Sequence, residues 1–177
     1  MRKLKLFIAT SLDGYIAKPN DDLNFLKIVE RDGEDYGYAE FTSTIDTIVV
    51  GRKTYDYALN ELGSTHYDNG ERDVYVITRT PRRAIGRTVF CTDNLIEFIK
   101  QLKSKDGKDI YCDGGAEIIN ELLKADLVDE FIISIVPIIV GDGIRLFKDG
   151  RGEQKLELIL SKQFETGLVQ LHYKRVR

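Results

Sequence analysis

Four short stretches of this chain combine glycines, cations, hydroxyls and a carboxylate at spacings that could do chemistry. Gly51-Arg52-Lys53-Thr54 follows an apolar β-branched run directly and opens a helical pattern. Glycine lets main chain approach a phosphate closely. A helix start offers free N–H groups and a partial positive charge. Arg52 and Lys53 add fixed charge, and Thr54 adds a hydroxyl donor. Neither the Walker spacing G-x-x-x-x-G-K-[ST] nor G-x-G-x-x-G occurs, so an ordinary basic helix cap is an equal reading. Asp113-Gly114-Gly115-Ala116 repeats the strand-to-helix context. Its two glycines reach backbone conformations that other residues resist, and they clear main chain for a cofactor to lie on. A plain tight turn is the alternative.

The third stretch is Thr78-Arg79-Thr80-Pro81-Arg82-Arg83. Such a cluster could hold the ribose phosphate that separates NADPH from NADH, because arginine donates in a planar fork. Thr78 and Arg79, at the strand end, are favoured for this, and Arg82 and Arg83 read as surface. The fourth, Ser11-Leu12-Asp13-Gly14-Tyr15-Ile16-Ala17, reads by itself as a turn. Two cysteines, Cys91 and Cys112, sit in strand-like runs without metal-ligand spacing and read as reduced core thiols, so no metal is expected. His66 and His172 lack the nearby Ser and Asp of a triad. Gly141-Asp142-Gly143 reads as a turn. Tyr36, Tyr38, Tyr55 and Tyr57 are candidates to line a cleft or to pack a core.

Alternating strand and helix patterns must position these stretches. Strands are expected at residues 4–10, 47–50, 74–78, 88–91, 109–112 and 130–136. Helices are expected at 22–30 (Leu23, Leu26 and Phe25 inward), 35–44, 54–62, 93 or 94 to 103, and 116–124. Residues 156–164 and 168–176 read as a closing antiparallel hairpin. The alternation predicts one α/β domain over 1–177: a mixed, mostly parallel central sheet flanked by helices. Ligands in such sheets gather beyond the carboxyl ends of the strands, where the motifs fall.

The 177 residues carry a net charge of -3, which leaves no overall footprint for nucleic acid. No apolar run reaches membrane-spanning length. Charged residues follow the first apolar run too soon for a signal peptide, so a cytoplasmic address is expected.

In this order, S-L-D-G-Y-I-A, V-G-R-K-T-Y and D-G-G-A-E-I-I resemble the dihydrofolate reductase-like superfamily. The nearest branch is the C-terminal reductase domain of the bifunctional riboflavin-biosynthesis deaminase-reductase. The tail Leu127-Val128-Asp129-Glu130, Pro137-Ile138-Ile139-Val140-Gly141-Asp142-Gly143 and Leu146-Phe147 fits as well. The resemblance implies NADPH as hydride donor, with Ala9 and Ile16 as walls of the nicotinamide site. It implies phosphate contacts at Gly51, Arg52, Lys53 and Thr54, and an adenosine side at Thr78 and Arg79. A diphosphate turn is implied at Gly114, Gly115, Ala116 and Glu117, with the Gly114–Gly115 bond often cis. Asp113 would face a pyrimidine substrate, accept hydrogen bonds from its ring or orient a proton donor; an Asx-type turn contact is the alternative. The acid that dihydrofolate reductases carry before the G-R-x-T turn falls on Asp35 in an ungapped count, where a solvated helix-start acid is the other reading. The H-x-E and P-C-x-x-C zinc pattern of a deaminase is missing, so a stand-alone reductase is implied. The expected activity is NADPH-dependent reduction of a small pyrimidine or pteridine-like compound. Dihydrofolate reduction and non-catalytic NADPH binding are the alternatives. A homodimer through residues 156–160 and 169–171 is implied by relatives.

Overall fold

Leu4–Ser11 (β1) begins with alternating buried and half-buried residues, as a strand between two packed layers must. A tight turn leads to the short Tyr15–Ala17 (β2). Then follow Tyr38–Ser43 (α1), Ile45–Gly51 (β3), Arg52–Leu62 (α2), Asp73–Ile77 (β4), Thr88–Cys91 (β5), Leu95–Ser104 (α3) and Asp109–Gly114 (β6). Ala116–Lys124 (α4), Glu130–Val136 (β7), Ile144–Arg145 (β8), Leu156–Gln163 (β9) and Val169–Arg175 (β10) complete the chain. The computed structural model describes residues 1–63, 65–67 and 70–177.

The main sheet has eight strands in the order β5-β4-β3-β6-β1-β7-β10-β9. The first six are mutually parallel, and β10 and β9 add an antiparallel end. This is the single-domain, mostly parallel α/β architecture that the alternation predicts. Below one face, α3 and α4 bury Ile99, Leu102, Ile119 and Leu122 against Leu4, Leu6, Ile110 and Cys112. On the other face, α1 and α2 bury Phe41, Tyr55 and Ala58 against Ile48, Val50, Val74 and Tyr111. Each such large side chain taken fully from water is worth about 1.5–3 kcal/mol.

Several boundaries differ from the sequence reading. Residues 22–30 form no α-helix but a 3-10 helix, Asn24–Val29, after a shorter one at Pro19–Asp21. Its buried residues are Phe25 and Val29, whereas Leu23 and Leu26 stay partly exposed. Packing against Val136, Phe164 and Leu168 decides this, and local pattern does not. The helix expected at 35–44 shrinks to α1, because Tyr36 and Gly37 take left-handed φ values of 55° and 82°. Strand β6 runs on into Asp113 and Gly114, the residues expected to stop it, and α2 starts at Arg52. The pairing of β2 with β8 carries no local signal. Among the described residues no helix is long and apolar enough to cross a membrane.

Candidate active site

Two strand-to-helix turns meet at the carboxyl ends of β3 and β6, which are neighbours in the sheet. Gly51 ends β3 and Gly115 precedes α4. A Cβ on Gly51 would stand 3.0 Å from Ile118 Cδ1, 3.3 Å from Gly115 N and 3.5 Å from Gly114 O. A Cβ on Gly115 would stand 3.1 Å from Thr54 Oγ1. The structure thus brings Gly51, Thr54, Gly114 and Gly115 together. Gly114 has φ 105°, which glycine alone adopts comfortably, and the Gly114–Gly115 bond is cis. Among the described residues no side chain caps α2 or α4, whereas Asn94 accepts from Ile96 N and Glu97 N at the start of α3. The first N–H groups of α2 and α4 therefore remain open to an anion. Glycines that keep the main chain bare between two uncapped helix starts fit a dinucleotide's diphosphate.

Cations flank this cradle. Arg52 is half-buried and Lys53 exposed. Arg52 Nη1 and Arg82 Nη1 reach the two oxygens of Asp56, at 2.8 and 3.1 Å. Arg82 also lies 5.5 Å over the ring of Phe90. Arg82 is exposed, as the sequence reading has it, and joins Arg52 through Asp56. Thr78 is buried, with its hydroxyl in its own turn: it accepts from Thr80 N and donates to Thr80 O. Arg79 is exposed. Ala116 is buried at the start of α4, and Glu117 beside it is exposed and ion-paired with Lys148. A carboxylate there would repel a phosphate, so the main chain of this turn, and not the Glu117 side chain, suits an anion.

Ala9 and Ile16 stand at different clusters. Ala9 packs with Phe25 and Val136, Ile16 against the α3/α4 core. The turn between them is braced by Asp13. Its carboxylate accepts from Ser11 Oγ at 2.6 Å, Val140 N at 3.1 Å and Gly141 N at 2.7 Å. The Ser11 hydroxyl and the two amides hold its pKa down at about 2. Residues 11–17 and 137–141 are therefore one clamped unit.

Asp113, at the end of β6, is the site's inner acid. Tyr111 Oη lies 2.5 Å from its Oδ1 and Tyr67 donates to its Oδ2. Tyr55 stacks on Tyr67 at 5.3 Å, and Phe41 meets Tyr111 edge-on at 5.0 Å. Loss of water around these rings pushes the Asp113 pKa up, and the two phenols pull against that shift. Burial likewise raises the Tyr111 and Tyr67 hydroxyls, and that of Tyr38 to about 12. Asp113 makes side-chain bonds to tyrosines here, not an Asx-type turn. Asp35 is exposed and accepts from Gly37 N at 2.9 Å and Ala39 N at 2.8 Å, the arrangement of a helix-start acid. The sequence reading missed Tyr111 and Tyr67. Tyr111 carried a signal, since two residues before Asp113 in a strand is the same face. Tyr67, in a polar connection, carried none. Among the described residues no group of His, Cys, Asp and Glu is placed to hold a metal ion.

The model of the RibD C-terminal domain matches residues 2–170. The uncharacterized Bacillus subtilis (strain 168) protein YwjB is 39% identical over 175 residues, covering 98% of both chains. A second uncharacterized protein of that strain, YyaP, is 32% identical over 181 residues, covering 97% of this chain and 94% of its own. A solved Shewanella sp. PV-4 protein, named provisionally for riboflavin biosynthesis, is similar with a TM-score of 0.88 at 30% identity over 99% of both chains. A Thermotoga maritima deaminase/5-amino-6-(5-phosphoribosylamino)uracil reductase shares the fold at TM-score 0.71 and 14% identity, with 57% of its length covered. With the glycine cradle and inner acid in place and the family model spanning nearly its whole length, this chain belongs to the RibD C-terminal domain family.

Proposed function

We propose that the protein is an NADPH-dependent reductase of a small heteroaromatic compound of the pyrimidine or pteridine kind. The observation that carries this reading is the meeting of Gly51, Thr54 and Gly115 between two uncapped helix starts. When bound, the nicotinamide supplies a hydride to a C=N bond or sugar carbonyl. The chain's own part is to bind and orient. Main-chain N–H groups of α2 and α4 hold the diphosphate, and Arg52, with Lys53 and Arg82 nearby, meets further phosphate charge. The Asp13 clamp fixes the segment carrying Ile16, and Asp113 presents a carboxyl to the ring of the acceptor. A pyrimidine is preferred to dihydrofolate because Asp35 is committed to the start of α1.

Calorimetric titration with NADPH and, separately, NADH tests this reading. NADPH is expected to bind at least tenfold tighter than NADH, a gap of about 1.4 kcal/mol. Arg52→Ala is expected to weaken NADPH more than NADH. Absence of binding by either nucleotide would overturn the reading.

A homodimer belongs to the same proposal. All eight residues of the edge strand β9 are exposed, including Leu156, Leu158, Ile159 and Leu160. A long apolar edge left open invites pairing. Leu158→Glu is expected to shift the mass seen by light scattering from two copies to one. A single copy for the unaltered chain would contradict the dimer.

A further inference from the structure

Reduction of a C=N bond by hydride needs one proton for the nitrogen, and the reductase reading, on which this inference rests, leaves its source open. Asp113, Tyr111 and Tyr67 form a chain of oxygens. Tyr111 Oη lies 2.5 Å from Asp113 Oδ1 and 3.1 Å from the Phe7 carbonyl oxygen. A phenol has one hydrogen and therefore serves one of these two acceptors at a time. With the carboxylate ionised, Tyr111 and Tyr67 both donate to it. With a proton on Oδ1, Asp113 donates to Tyr111 Oη, and the Tyr111 hydrogen turns to Phe7. Tyr67 goes on donating to Oδ2. In both states every oxygen of the trio is paired, and no heavy atom has to move.

We propose that Tyr67, Asp113 and Tyr111 are a built-in proton store of the reductase site, with Asp113 as the donor and the two tyrosines as positioning residues. Both tyrosines are only 3% exposed, whereas Asp113 keeps partial exposure at the strand end. Asp113 is therefore the member assigned to meet an acceptor. When hydride adds to the carbon of a C=N bond, the π pair moves onto nitrogen. The Asp113 O–H turns from Tyr111 Oη to that nitrogen and gives up its proton, the O–H electron pair stays behind as carboxylate, and the Tyr111 hydrogen turns back from Phe7 so that both phenols donate to it. A proton from solvent later restores the acid. The groups facing the trio are Tyr38 from α1, Tyr55 from α2 against Tyr67, and His66 beside Tyr67. The charge of Arg72 acts on Tyr38, and burial favours the protonated state of Asp113.

The test is a pH titration of the full chain labelled with carbon-13 at the aspartate carboxyls, with Asp113→Asn assigning the resonance. The Asp113 midpoint is expected clearly above the ordinary aspartate range, because burial disfavours the charged form. Tyr67→Phe is expected to raise it further, because it removes a donor to the charged form, whereas Tyr111→Phe removes a partner of both forms and is expected to move it less. A wild-type midpoint in the ordinary range would overturn the proposal, and so would a midpoint that neither substitution moves. The wild-type result stands even if a tyrosine variant fails to fold. A high midpoint without nicotinamide binding would overturn the reductase reading and leave the proton store. An ordinary midpoint with NADPH bound would do the reverse.

Discussion

Asp113 shows how one buried carboxyl links stability to pH. Its pKa is raised in the fold, so the folded chain binds a proton there that the unfolded chain has released. Stability from that proton is present at low pH and is lost as pH rises through the folded value. Asp113→Asn keeps an acceptor for one phenol and removes the charge. Its melting temperature relative to the unaltered chain is therefore expected to be higher at pH 8 than at pH 5. Hydride transfer is expected to fall about 10²–10⁴-fold, the usual worth of a positioned acid. Thermal unfolding at the two pH values, with single-turnover kinetics, reads both effects. A variant that loses more stability at pH 8 than at pH 5 would contradict the assignment. The acid itself was legible in the sequence from D-G-G-A; its partner Tyr111 was missed, although strand period places it on the same face. Tyr67 lies 46 residues away and was not.

At the scale of elements, the cradle is a contact between two turns. Gly51 and Gly115 have ordinary φ values of -73° and -75°, so space alone, and not backbone conformation, demands glycine there. Gly51→Ala must displace Ile118 or the Gly115 main chain. It is expected to cost about 1–3 kcal/mol by overpacking and to weaken NADPH binding about tenfold or more. Gly152→Ala, with nothing within 4 Å, is the control and is expected to change neither. Denaturant unfolding and calorimetry check this pair. That each glycine opened a helix was readable from sequence. That the two turns touch follows from β3 pairing with β6, which local pattern does not encode.

The whole molecule sets charge against charge at the opposite, amino ends of the strands. Lys3 and Lys5 meet Glu130 and Asp109, and Lys103 and Arg177 meet Asp129, which also accepts from Leu4 N at 2.7 Å. Hydrogen bonds and cations there outweigh burial and lower the pKa values of Asp109, Asp129 and Glu130. Such groups stabilise the fold above the unfolded carboxylate values near 4, and that contribution is lost as pH falls through the lower folded values. Asp129→Ala is expected to cost about 1–3 kcal/mol at pH 7, where it leaves buried Lys103 with the Leu127 carbonyl but without its carboxylate. The difference is expected to shrink below pH 4. Acid titration of circular dichroism for both chains checks it, and a difference that persists to pH 2 would contradict the network's role.

Sequence by itself determined the strand–helix alternation, the cradle glycines and the family, because periodicity, turn chemistry and motif order are local properties of the chain. Tertiary structure decided which of those local signals meet. Strand order set Gly51 against Gly115, the reach of Asp56 joined Arg82 to Arg52, and packing turned Phe25 and Val29 inward. The connection after α2 carried Tyr67 to Asp113. Each of these contacts depends on distance in space between residues remote in the chain, and no short window of sequence contains that distance.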